Sequence, residues 1–117
     1  MADSVESDIR DDRPRGLLEA YEDGGVTGRI AYFVLDGERA ALVAVHTVVE
    51  PRHEGRGIAG ALVRRFYAIA ADEGLPVVPL CPYAAAWVGR HPEEAPVPPA
   101  ALVAEARRQL KERPERW

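Results

Sequence analysis

The chain carries one cysteine, Cys81, and three histidines, His46, His53 and His91. A thiol is a nucleophile, and an imidazole can take a proton from an attacking amine or from the thiol itself, so Cys81 and His46 are candidates for group transfer. The positions 46, 53, 81 and 91 match no zinc-ligand spacing, and no metal is expected. A second feature is the run Glu54-Gly55-Arg56-Gly57-Ile58-Ala59-Gly60. Glycines let the backbone turn sharply and approach a ligand, and a helix starting just after them presents unpaired N–H groups and partial positive charge. Such a turn is a socket for phosphate oxygens, with Arg52 and Arg56 beside it for charge-assisted bonds. The plainer alternative is a strand-to-helix turn that uses glycine only to change direction. It is not a P-loop, since no Lys-Ser/Thr pair follows the glycines, and no βαβ unit surrounds it as a dinucleotide fingerprint requires.

Periodicity predicts the elements that hold these residues. Residues 1–14 are polar and aperiodic and read as a flexible acidic tail. A strand at 17–21 closes on the turn 22–25. Residues 26–35 alternate, with Ile30, Tyr32 and Val34 on one face and Ala31, Phe33 and Leu35 on the other. Asp36-Gly37 is a hairpin signal leading to 40–49, a strand apolar on both faces and therefore central. After Pro51 and the glycine turn, Ile58, Leu62, Phe66 and Ile69 form a helical stripe that Gly74 stops. A short strand at 77–80 and a helix at 83–89 follow. Pro98 and Pro99 open a last helix whose Leu102, Val103, Ala106 and Leu110 share one side, and Pro114 stops it. The order is β-β-β-α-β-α with an appended C-terminal helix, an α+β fold divided as tail 1–14, domain 15–94 and helical extension 95–117. The last stripe would pack on the domain or on a second copy of the chain, as a homodimer.

At 117 residues the chain has room for one core. No apolar run, 40–45 and 83–88 among them, exceeds six residues, far short of the about 20 residues that span a membrane. The acidic start is unlike a signal peptide, and a lone cysteine makes no internal disulfide, so a cytoplasmic location is expected. A net charge of −4 argues against nucleic acid as partner. Against that balance Arg52, Arg56, Arg64 and Arg65 face only Glu54 within 52–65, a basic island suited to a compact anion.

The run Val49-Glu50-Pro51-Arg52-His53-Glu54-Gly55-Arg56-Gly57-Ile58-Ala59 resembles the acetyl-CoA-binding motif of the GNAT N-acetyltransferases. His46-Thr47-x-Val49, Pro79-Leu80-Cys81-Pro82-Tyr83 and Arg90-His91-Pro92-Glu93 sharpen the resemblance to the very small YjdJ-type subgroup, in the same order. Glu54 departs from the Gln or Arg usual in the wider superfamily, and an acidic side chain there must turn away from a pyrophosphate.

The resemblance implies a compact mixed sheet with splayed central strands, 40–49 and 77–80, and the pantetheine arm of coenzyme A between them. It places the main chain of Val48 and Val49 against the pantetheine amides. The pyrophosphate would rest on N–H groups of Glu54, Gly55, Arg56, Gly57, Ile58, Ala59 and Gly60, beside Arg52. The implied reaction moves an acetyl group from acetyl-CoA, a small-molecule CoA thioester used as co-substrate, to an amine acceptor that the sequence does not identify. The alternatives are a CoA-binding module without turnover, acting as sensor or partner protein, and a small α+β interaction domain.

Cys81 falls where the resemblance puts the thioester. A following helix would favour its nucleophilic form; otherwise it is an inert packing residue. His46, on the neighbouring strand, is either a base near Cys81 or a core histidine bonded to backbone. Tyr83 is the candidate to protonate the departing thiolate, as a tyrosine often does in that family. His91 suits a helix C-terminal cap, and Trp87 suits the core or the wall of an acyl pocket.

Overall fold

A computed structural model describes residues 8–35 and 39–112. Five strands form one mixed sheet in the order of the chain: β1 (Ile9–Asp12), β2 (Leu17–Glu22), β3 (Gly25–Val34), β4 (Leu42–Val49) and β5 (Val77–Pro79). β1 to β4 run antiparallel, and β5 lies parallel to β4. Three α-helices are described, α1 (Ile58–Glu73), α2 (Pro82–Arg90) and α3 (Ala100–Lys111), and short 3-10 turns occupy Arg13–Arg15 and Pro51–His53. The α+β architecture is as the sequence predicts. The Asp36-Gly37 hairpin and the Pro114 stop lie outside the described residues.

Of the expected tail 1–14, residues 1–7 lie outside the described residues, and the remainder needs correction, because Ile9–Asp12 is a strand paired with β2. Ile9 is buried, and the Tyr32 hydroxyl on β3 donates to Asp11. Arg13 bonds the same Tyr32 oxygen at 3.1 Å and Glu73 at the end of α1 at 2.7 Å. Burial, reinforced by the Asp11 carboxylate, pushes the Tyr32 phenol up to about 12. A mostly polar segment is therefore held by partners 21 and 60 residues away.

The sheet has two covered faces. α1 and α2 lie on one, where Leu62, Phe66, Ala70 and Trp87 meet Leu18, Ile30, Tyr32, Leu42 and Ala44. Gly28 lets α1 close onto this face, since a Cβ there would lie 3.0 Å from Ile58 and 3.2 Å from the Val48 carbonyl. Gly74, with a φ of 69°, ends α1 as its position predicts.

α3 covers part of the other face. Leu102 and Ala106, with Val103 and Leu110 beside them, pack on Phe33, Leu35, Val43, Val45 and Val78. The stripe is thus buried within the chain. Deleting residues 97–117 would expose that half-core, at about 1.5–3 kcal/mol for each large side chain uncovered. The melting temperature of the truncated chain is expected to fall by roughly 10 °C or more; thermal denaturation followed by circular dichroism measures it, and an unchanged midpoint would refute the packing role.

Candidate functional site

Two features of β4 organise the site. The first is its edge. Pairing with β5 runs from Leu42↔Val77 to Ala44↔Pro79 and stops, while β4 continues to Val49. The N–H groups of Leu80 and Cys81 both converge on the Ala44 carbonyl, at 3.0 and 3.1 Å, and the chain then turns into α2. Residues 45–49 are left facing a gap where the neighbouring strand has departed, which is the splay the family resemblance implies.

The second feature is a β-bulge. Ala31 pairs with His46 but Tyr32 pairs with Ala44, so Val45 is supernumerary. Before the bulge, Leu42 and Ala44 face the α1 side and Val43 and Val45 the α3 side. Beyond it Thr47 and Val49 take the α1 side, and His46 and Val48 line a cleft on the opposite face. Plain alternation from Ala44 would have sent His46 to the α1 side. The bulge sends Thr47 instead.

This removes the pairing of Cys81 with His46, one of the readings the sequence left open. The Cys81 sulfur lies 3.1 Å from Thr47 Oγ1, and His46 is on the other side of the sheet. Cys81 is the N-cap of α2, with Sγ accepting from the Ala84 N–H at 3.4 Å, and it is almost fully buried. Tyr67 and Trp87 lie behind it, their rings stacked at 5.7 Å. Burial, with a smaller contribution from Cys81, pushes the Tyr67 phenol up to about 12, and its hydroxyl is buried without a partner. Trp87 is core rather than cleft wall, and it also stacks on His91 at 4.3 Å. His91 caps the C-terminus of α2, with Nδ1 3.0 Å from the Trp87 carbonyl.

On the α1 side a cleft of about 480 Å³ is lined by Thr47, Val49, His53, Glu54, Gly55, Gly57, Ile58, Ala59 and Tyr83. The glycine turn forms one end. Gly55 and Gly57 both have φ of 80°, a conformation costly for residues with a Cβ. A Cβ at either would meet nothing within 4 Å, so the backbone stands open to the cleft. Among the described residues, no N–H of residues 55–60 donates a hydrogen bond, and the first helical bond runs from Ala61 to Gly57 at 3.0 Å. Consecutive unpaired donors at the head of a 16-residue helix suit a diphosphate. The donor set and the neighbouring unpaired strand edge therefore fit coenzyme A.

The predicted residues divide around this cleft. Val49, Glu54, Gly55, Gly57, Ile58, Ala59 and Tyr83 line it, and the side chain of Glu54 is exposed. Gly60 sits behind, near Trp87 and the Tyr83 hydroxyl, while the Val48 side chain faces away. The basic island is largely spent within the fold: Arg56 grips Glu22 with two bonds of 3.1 and 2.8 Å, and Arg64 holds Glu94 at 2.9 Å. Arg52 is exposed and has no ion pair among the described residues. Thr47 and His53 are lining residues the sequence reading did not nominate. His53 Nε2 lies 3.4 Å from Glu22, and its Nδ1 is buried without a partner.

The family model described as GCN5-related N-acetyl-transferase matches residues 18–97. Among solved structures, a ribosomal-protein-alanine N-acetyltransferase from Brucella melitensis biovar Abortus 2308 superposes with a TM-score of 0.52 at 27% identity, covering 56% of this chain and 50% of that one. An aminoglycoside acetyltransferase from an uncultured soil metagenomic sample gives 0.48 at 31% identity, covering 53% and 43%. The chain thus spans about half the length of these solved proteins or less. No curated protein matches it by sequence. With a family match that takes in β2 to β5, the glycine turn and the Cys81 cap, the chain belongs to the GCN5-related N-acetyltransferases.

Proposed function

We propose that the chain transfers an acetyl group from acetyl-CoA to an amine, within the very small YjdJ-type subgroup of its family. The observation that carries this is the row of unpaired N–H groups at 55–60, continuous with the unpaired edge of β4. In this reading the turn binds the pyrophosphate, the main chain of Val48 and Val49 pairs with the pantetheine amides, and the thioester lies at the inner end, near Cys81 and Thr47. The solved alanine N-acetyltransferase supports an amine as acceptor.

Transfer requires that the amine lose a proton and that the CoA sulfur gain one. Tyr83, 38% exposed on the cleft, is suited to protonate the sulfur. His46, on the opposite face, is suited to take the proton from an amine arriving from that side. The amine nitrogen bonds to the carbonyl carbon, the carbon–sulfur bond breaks, and main-chain N–H groups stabilise the oxyanion. Cys81 supports this direct route as a neighbour of the thioester. A covalent route would pass the acetyl group through its sulfur first and give ping-pong kinetics.

Thiol release from acetyl-CoA in the presence of an amine panel tests the function. CoA raising the melting temperature without any thiol release would instead make the chain a binding module. For the route, mass spectrometry after acetyl-CoA alone is expected to find no acetyl group on Cys81. Acetyl-Cys81 that then discharges to an amine would establish the covalent path. Cys81→Ala is expected to slow turnover roughly tenfold, about one hydrogen bond's worth. Full activity in both Cys81→Ala and His46→Ala would remove both residues from the chemistry.

A further inference from the structure

The face of the sheet away from the glycine turn holds a second cleft, of about 500 Å³, lined by Arg15, Gly16, Leu17, Arg29, Ala31, His46 and Val48. We infer that this cleft receives the acceptor, and that the acceptor is a small primary amine carrying its own carboxylate, which Arg29 binds. The inference rests on the acetyl-transfer reading and names the acceptor class for that same site.

Position comes first. His46 and Val48 belong to the stretch of β4 whose edge is unpaired, and Thr47 and Val49 on the same stretch face the other cleft. The two cavities therefore share one strand as a wall. A molecule held in the second cleft reaches that edge beside His46.

Charge comes second. The lining contains two arginines and a histidine and no carboxylate. Arg15 is occupied by Asp12 at 3.3 Å and lies 3.9 Å from Glu19. Glu19 is the cross-strand partner of Arg29, but its carboxylate is buried and accepts from the Tyr21 hydroxyl at 3.1 Å. The Arg29 side chain is left exposed, with no hydrogen bond or ion pair among the described residues. A guanidinium with open donors takes a carboxylate in a bidentate grip.

Spacing comes third. Arg29 stands opposite Val48 and His46 opposite Ala31, so Arg29 and His46 are diagonal neighbours across the β3–β4 ladder. Such diagonals are about 7–8 Å apart at Cα. A carboxylate held by Arg29 therefore sets an amine a few bonds away beside His46, the geometry of amino acids and short ω-amino acids. A polyamine finds nothing here to bind its second cation.

Thiol release with glycine, β-alanine and glutamate is compared with ethylamine, propylamine and putrescine. The carboxylated amines are expected to have kcat/KM at least 10-fold higher. Arg29→Gln should collapse that ratio toward one while moving the KM of acetyl-CoA less than twofold, and Arg29→Lys should restore part of it. Transfer without carboxylate preference, or a preference that survives Arg29→Gln, overturns this inference and leaves acetyl transfer standing. If wild type releases no thiol with any amine, the transfer reading fails. The same panel titrated into CoA-loaded protein by calorimetry then decides the cleft's ligand separately: carboxylate-dependent binding lost in Arg29→Gln supports it, and no binding overturns it.

Discussion

Gly57→Asp is expected to weaken CoA binding by roughly 100-fold, about 2.8 kcal/mol, while the chain still folds. Gly57 is the N-cap of α1 at a φ of 80°, and a Cβ there projects into open space. No core atom is displaced, so the folded state loses only the conformational cost of a left-handed residue, about 1–2 kcal/mol and less for Asp than for most. The ligand meets something different. A carboxylate would stand among unpaired N–H groups and compete for them, and it would repel a diphosphate at close range. Isothermal titration of CoA into the variant measures the loss, with circular dichroism to confirm folding. Wild-type affinity in a folded Gly57→Asp would remove the glycine turn from the binding site. Gly57→Ala separates the causes: strain without charge should weaken binding much less.

Among single substitutions, the largest expected loss of stability is at Trp87. Its side chain is 2% exposed, stacks between Tyr67 and His91, and has the Arg64 guanidinium 5.7 Å from its ring. It joins α2 to α1, and Gly60 approaches its indole to within 4 Å of a notional Cβ. Truncation to Ala leaves a cavity between two helices, at about 3–5 kcal/mol. For a domain of this size that is a fall of about 10–20 °C in melting temperature. A shift below about 5 °C would mean that the helices close the gap and that Trp87 is not the keystone of this contact. The same substitution should raise KM for acetyl-CoA, because Tyr83 on α2 lines the cleft one turn from Trp87.

The parts legible in the sequence were those with local causes. The α1 stripe, the Gly74 stop, the Pro98-Pro99 entry to α3 and the glycine turn each depend on residues within one or two turns of one another. What escaped depended on distant partners. Ile9–Asp12 has one apolar residue, and its place is secured by Tyr32 and Glu73. The arginines of the basic island look free in sequence because Glu22 and Glu94, which neutralise Arg56 and Arg64, lie 34 and 30 residues away. The side that His46 faces stayed open in the sequence for a subtler reason. Apolar residues occupy both faces of β4 before the bulge, so its alternation carries no signal that could reveal an extra residue. Thr47 was missed with it.

The supernumerary Val45 also makes the length of β4 matter as much as its composition. Side chains on a strand are read in twos, so adding or removing one residue acts on facing as a frameshift acts on codons. Losing one residue at this point would restore an unbroken ladder and invert everything downstream. Thr47 and Val49 would turn out of the helical side, and an imidazole would be carried toward the buried thiol. Substitutions along β4 alter one contact each, whereas a single indel would exchange the contents of the two clefts.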